Sequence, residues 1–239
     1  MKDVILSVKD LTIQYKDAAE PVIEKLSFDL HQGEILCISG KSGAGKSTIV
    51  WALMEMLHEY NAFAHGFIQF AGKTLTYDGK DLKEKLWNWR EIALVPQASM
   101  SSFNPLFTIG ETMTEMLDIF EGKEKGQKGL GRKDKALKEK KKARVLELLN
   151  MVCLGEDIYH AYPHELSGGM KQRAAIALAI MFHPQVLILD EATTGLDLLI
   201  QAEVLGTILE LKKKEDISIL FISHDRELAK NFCHRQIEL

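Results

Sequence analysis

Residues 39–48 read Ser-Gly-Lys-Ser-Gly-Ala-Gly-Lys-Ser-Thr, and no other stretch limits the possible folds of this chain so tightly. Gly40, Gly45, Lys46 and Ser47 fit the phosphate-loop pattern at the required spacing. The pattern carries chemistry only between a strand and a helix. The apolar run Ile35, Leu36, Cys37, Ile38 predicts a buried strand before it, and Ile49, Val50, Leu53 and Leu57 predict a helix after it. In that setting Gly40, Gly43 and Gly45 let the backbone bend so that successive N–H groups point inward at phosphate oxygens, along a loop completed by Ser42 and Ala44. The helix beginning near Lys46 adds its positive end. The Lys46 ammonium is expected on the β- and γ-phosphates, and the Ser47 hydroxyl on Mg²⁺, with Thr48 beside it.

The 239 residues are enough for one large domain or one domain with an insertion, and a 46% hydrophobic fraction allows an ordinary core. No apolar run approaches the length of a membrane span, and the N-terminus does not read as a signal peptide. Cys37, Cys153 and Cys233 are odd in number and far apart in sequence. They support neither a disulfide framework nor a zinc knuckle, and read as buried small hydrophobes in a reducing cytosol. The formal net charge is −4, but residues 121–144 hold 11 Lys and Arg against 4 Asp and Glu, a local +7, leaving −11 for the rest. An acidic body argues against nucleic acid as a partner.

Strands are expected at 4–8 and 11–15, broken at Lys9-Asp10, and at 26–30 and 67–70, an antiparallel-looking group around the phosphate loop. Short apolar runs at 92–95, 186–189 and 218–222 predict buried strands. Helices are expected at 108–120, from Leu137 through Leu149, from Gly169 to before Pro184, at 198–214 and at 227–233. Residues 121–136, rich in Gly and Lys, read as a mobile basic loop. Alternating strands and helices indicate an α/β core with parallel pairing, and residues 98–183 a helical subdomain within a single 1–239 domain.

Two further stretches carry chemistry. Val186-Leu187-Ile188-Leu189-Asp190-Glu191 places two acids at the carboxyl end of an apolar strand, where open α/β sheets bind ligands. Asp190 is expected to hold Mg²⁺ and Glu191 to orient or deprotonate an attacking water. In Leu166-Ser167-Gly168-Gly169-Met170-Lys171-Gln172-Arg173, two glycines open a helix and Ser167 stands where an N-cap belongs, a second anion site. Two such motifs this far apart point to a site shared between two molecules.

With these motifs in place, nearly the whole chain resembles the nucleotide-binding subunit of an ATP-binding-cassette (ABC) transporter. The resemblance implies an α/β fold: a P-loop NTPase core with an N-terminal antiparallel β subdomain and an inserted α-helical subdomain. It implies that Ser167, Gly168 and Gly169 contact the γ-phosphate held by a partner cassette, that Tyr15 stacks on adenine, and that Gln97 reaches Mg²⁺ and water. It further implies that Asp197 crosses the dimer interface and that His224 contacts the γ-phosphate. Catalysis would then rest on Glu191, His224 and Lys46, metal binding on Ser47, Gln97 and Asp190, and the cofactors would be ATP and Mg²⁺. Val95-Pro96-Gln97 with Met100-Ser101-Ser102-Phe103-Asn104-Pro105, and Tyr162-Pro163-His164-Glu165 before Leu166, resemble the oligopeptide, dipeptide and nickel importer branch.

That branch implies a peripheral position on the cytoplasmic face of the cell membrane. Its partners would be two multi-span membrane subunits, a second ATPase subunit and an extracytoplasmic solute-binding protein. Lys41, Ala192 and Gly195 depart from its usual acid, proline and alanine, and the chain lacks the closing strands and cysteine-bearing tail of many relatives, which reads as a trimmed or short variant. The competing readings are a soluble cassette ATPase not coupled to transport, and a degenerate regulatory cassette. The basic stretch is read as a solvated loop, with anionic lipid contact as the alternative.

Overall fold

The computed structural model describes residues 3–80, 87–88, 90–97, 99, 102–120 and 132–239. In chain order the strands are β1 (Val4–Tyr15), β2 (Ile23–His31), β3 (Ile35–Ser39), β4 (Ala62–Phe70), β5 (Lys73–Asp78), β6 (Ile92–Val95), β7 (Val186–Asp190), β8 (Ser218–Ser223) and β9 (Arg235–Glu238). The α-helices are α1 (Lys46–Leu53), α2 (Ile109–Phe120), α3 (Arg132–Met151), α4 (Gly168–Ala179), α5 (Leu198–Glu215) and α6 (Arg226–Phe232). The chain divides into two compact units. The first takes residues 1–97, 182–192 and 212–239, and the second residues 98–181 and 193–211.

The first unit is built on two sheets. One is antiparallel in the order β2-β1-β4-β5, and the other is parallel in the order β6-β7-β8-β3-β9. Alternation along β1 turns Leu6, Val8, Leu11 and Ile13 to one fully buried face. They share a single core with Leu36 and Ile38 of β3, Ile188 of β7, Leu220 and Ile222 of β8, and Ile49, Val50 and Leu53 of α1. Strands β3, β7 and β8 are buried along their whole length, as near-continuous apolar strands of a parallel sheet should be. The strand order sets β7, β8 and β3 side by side with their carboxyl ends at one edge.

The second unit is helical among the described residues. Helix α2 buries Ile109, Met113 and Leu117, at spacings of four, and packs on α3. Lys141 of α3 is buried and paired 2.5 Å from Asp118 of α2.

Several expectations need correction. The break at Lys9-Asp10 is a bulge within one strand: Asp10 adopts φ 50 and the β1–β2 register shifts between Val8 and Leu11, so pairing continues on either side. Helix α3 begins at Arg132, so residues 132–136 of the expected loop are helical, and residues 121–131 lie outside the described residues. Lysine and alanine are good helix formers, which the charge count alone concealed. The cysteines are not all buried, since Cys153 is exposed, and Cys233 lies close enough to buried Cys37, despite their sequence separation, that Cys37 and burial together push its thiol up. Strands β5 and β9 were not anticipated. The end of the chain is structured, because β9 pairs in parallel with β3.

Strand β9 is held by a long-range ion pair. Arg235 Nε lies 2.9 Å from Glu34 Oε1, and the His31 N–H donates to the other Glu34 oxygen at 2.8 Å. Burial pushes the Glu34 carboxyl up, but Arg235 and the His31 N–H outweigh it and hold it below its ordinary 4.5. An acid depressed on folding stabilises the fold above its ordinary value and loses that contribution as pH falls through the folded one. Arg235→Met should therefore destabilise by about 1–2 kcal/mol at pH 7, discounted for the half-exposed guanidinium. In urea titrations across pH, the deficit should shrink below about pH 4, as the Glu34 charge is lost in both proteins.

Candidate active site

The loop between β3 and α1 adopts the strained backbone that its glycines permit. Gly43 and Gly45 stand at φ 82 and φ 88, and Gly45 is the residue immediately before α1. The φ of 88 requires glycine at position 45, and a Cβ there, 2.8 Å from Ile23 Cδ1, would also make that side chain shift. Gly40 faces the end of the chain, where Leu239 N–H donates to Ser39 O at 2.8 Å. Lys46 is 5% exposed, and its ammonium donates to the carbonyls of Gly40 and Lys41, both at 3.0 Å. It also lies 3.6 Å from Glu191 Oε1.

The neighbouring strands bring the remaining groups to this point. Ser47 Oγ donates to Asp190 Oδ1 at 3.4 Å, joining the start of α1 to the end of β7. Burial raises the Asp190 carboxyl above its ordinary 3.8. The Ser47 hydroxyl and Lys46 oppose this, and the charge of Glu191 adds to it. Glu191 adopts φ 48, with its N–H donating to Ile222 O of β8 at 3.1 Å, and this turn swings its carboxylate toward the loop. Gln97 Nε2, two residues past β6, donates to Glu191 Oε2 at 3.0 Å, and His224 Nδ1, just past β8, lies 3.4 Å from the same oxygen.

Tyr15, Val22, Ser42, Gly43, Gly45, Lys46, Ser47, Thr48, Gln97 and Glu191 line an open cleft of about 240 Å³. The Tyr15 hydroxyl is 2.8 Å from Thr48 Oγ1, which fixes the aromatic ring at the cleft wall. Val22 as a wall residue, and the Tyr15–Thr48 tie, carried no sequence signal, because each depends on β1 and the β1–β2 connection folding over the loop.

The structure thus brings together Tyr15, residues 40–48, Gln97, Asp190, Glu191 and His224 within the first unit. Ser167, Gly168, Gly169 and Asp197 belong to the second unit. There Ser167 caps α4, its hydroxyl accepting from Met170 N–H at 3.3 Å. Gly169 packs so closely on Ile200 that a Cβ would overlap the Ile200 side chain. Asp197 Oδ1 accepts from Ile200 N–H at 3.0 Å and so caps the start of α5. Gly195 stands at φ 81, a backbone state that alanine strains to adopt.

The donor chemistry fits a triphosphate with a small hard cation. Glycine-lined backbone N–H groups, a buried ammonium and the first turn of α1 converge on one wall of the cleft. The Ser47 hydroxyl and Asp190 carboxylate are hard oxygen donors, and two protein ligands completed by phosphate and water suit Mg²⁺.

Comparison with known proteins agrees with this chemistry. Residues 23–194 match the family model described as ABC transporter. The chain is 36% identical over 237 residues to the dipeptide transport ATP-binding protein DppD of Haemophilus influenzae, covering 98% of this chain and 68% of that protein. It is 39% identical over 239 residues to the oligopeptide transport ATP-binding protein OppD of Bacillus subtilis, covering 97% of this chain and 62% of that protein. Among solved structures, a dimeric post-hydrolysis state of the ATP-binding cassette MJ0796 bound to ADP and Pi superposes with TM-score 0.75 at 26% identity. It covers 98% of this chain and 94% of that one.

Two outcomes follow from the geometry. Gly45→Ala should remove measurable ATP binding in a fluorescent-nucleotide titration while the protein stays folded by circular dichroism. Asp190→Asn should raise the melting temperature of the nucleotide-free protein, because it removes a buried charge. An acid raised on folding costs stability as pH climbs through its shifted value, so the gain should be largest at neutral and alkaline pH and vanish below the ordinary carboxylate range.

Proposed function

The chain belongs to the ABC transporter family, and from that premise we propose that it is the ATP-hydrolysing subunit of an importer of the peptide type. The observation that carries the proposal is the grouping of Lys46, Ser47, Asp190, Glu191, Gln97 and His224 around one cleft. The relatives named for dipeptide and oligopeptide transport support the solute class.

The roles follow from chemistry. Loop N–H groups and Lys46 neutralise phosphate charge, and the Tyr15 ring offers a face for adenine. Ser47 and Asp190 would hold Mg²⁺, which would supply charge neutralisation at the phosphates. Glu191 orients and accepts a proton from the attacking water, and Gln97 and His224 hold its carboxylate through their contacts at 3.0 and 3.4 Å. No covalent intermediate is needed, because phosphoryl transfer rests on positioning and charge stabilisation. In this reading two cassettes close face to face, so that Ser167, Gly168, Gly169 and Asp197 of one complete the site of the other. Closure moves two multi-span membrane subunits that receive solute from an extracytoplasmic solute-binding protein. The second cassette is another copy or a homologous ATPase. Among the described residues no helix is long and apolar enough to cross a membrane; in this reading the chain sits peripherally on the cytoplasmic face of the membrane, bound to its membrane subunits.

Glu191→Gln should retain ATP and hold the complex in an ATP-loaded state, whereas Lys46→Ala should lose ATP affinity. Normal turnover by Glu191→Gln in the assembled complex would remove Glu191 from its role. Pull-down from native membranes with Glu191→Gln, ATP and Mg²⁺, read by mass spectrometry, should recover two multi-span proteins. Recovery of soluble partners alone would overturn the importer reading.

A further inference from the structure

Strand β9 is an edge of the parallel sheet and pairs with β3, which runs directly into the glycine loop. The register sets Cys37 opposite Gln236 and Ser39 opposite Glu238. Residues two apart share one face of a strand, so Gln236 can reach forward along β3 to Ser39. Gln236 Nε2 donates to Ser39 Oγ at 2.6 Å, and Ser39 Oγ donates to Ile237 O at 3.3 Å. The Leu239 N–H donates to Ser39 O at 2.8 Å. Both the hydroxyl and the carbonyl of Ser39 are therefore tied to β9.

Ser39 is fully closed to solvent, and the four residues before it in β3 are apolar and equally buried. An alanine would continue that run without burying a hydroxyl, so the serine is explained by its two bonds to β9 rather than by packing. Its position gives those bonds a consequence. The next residue is Gly40, whose carbonyl accepts from the Lys46 ammonium at 3.0 Å. A Cβ at Gly40 would stand 3.2 Å from Leu239 Cβ and 3.3 Å from Ala44 Cβ, so the end of β9 and the loop close on one another at this glycine. A glycine-rich loop has much conformational freedom to lose, and fixing the peptide from which it springs lowers the part lost when a ligand binds.

We propose that Gln236 is a positioning residue for the phosphate loop. It holds Ser39, and through Ser39 the Gly40 carbonyl and the loop N–H groups, in the arrangement that receives triphosphate. This rests on the reading of the cleft as an ATP site. Gln236 is not among the residues that line the cleft, and it acts only through Ser39. The loop contacts phosphate before and during transfer alike. Losing the link therefore weakens nucleotide binding and leaves the chemical step, set by Glu191 and its neighbours, unchanged.

The test is steady-state ATP hydrolysis by the native complex carrying Gln236→Leu, Ser39→Ala or both. Gln236→Leu should raise KM for ATP about fivefold, the worth of roughly one net hydrogen bond, and leave kcat within about twofold. Ser39→Ala should do the same, and the double variant should be no worse than the worse single one, because both remove one link. Arg235→Met loosens the first residue of β9 without touching Ser39, so it should lower the melting temperature and leave KM unchanged. An unchanged KM in Gln236→Leu overturns the proposal while leaving the ATP site standing. So does additivity in the double variant, or an equal rise in Arg235→Met, which would make β9 a matter of general stability. Absence of ATP hydrolysis by the unaltered complex overturns the proposal together with the ATP-site reading.

Discussion

A buried ammonium organises this protein. Lys46 is almost closed to solvent, and burying an unpaired charge is among the costliest things a fold can do. The structure meets that cost with two backbone carbonyls and the Glu191 carboxylate. The carbonyls are available only because glycines curl the loop around the lysine, and Glu191 is near only because β7 ends beside the loop. The parallel order of β7, β8 and β3 sets Glu191 beside that ammonium and His224 beside Glu191.

The same constraint explains the arrangement around Glu191. Its carboxylate faces Lys46, the first residue of α1, and Gln97 and His224, which follow β6 and β8. A backbone turn at φ 48 directs it there. An acid held by three donors is fixed in direction, a property wanted in a group that must orient water. Asp190 next to it lives differently. Burial raises its carboxyl, and the Ser47 hydroxyl and Lys46 only partly offset this.

What the sequence revealed and what it hid divide by distance along the chain. Lys46, Ser47, Asp190 and Glu191 were legible because each sits in a short local pattern whose strand or helix is itself strongly apolar. Tyr15, Gln97, Asp197 and His224 were reached through family resemblance, and their neighbours in space became visible only in the structure. Strand β9 was missed because Arg235–Glu238 carries one apolar residue, and its pairing with β3 is secured by a contact 201 residues away in sequence. Asp10 hid a bulge, since a charged pair inside an alternating run looks the same as a strand break. Cys37 with Cys233, and Ser99 with Gln172, are non-local pairs that no spacing rule could supply.

Phosphate release from ATP by the native complex purified through this chain, measured with Mg²⁺ and after its chelation, tests the central claim most directly. If the cleft between the glycine loop, Asp190 and Glu191 is the hydrolytic centre, phosphate should appear at a steady rate with Mg²⁺ and fall to background without it. ATP recovered intact from the Mg²⁺-loaded complex, or a rate indifferent to chelation, would contradict the account.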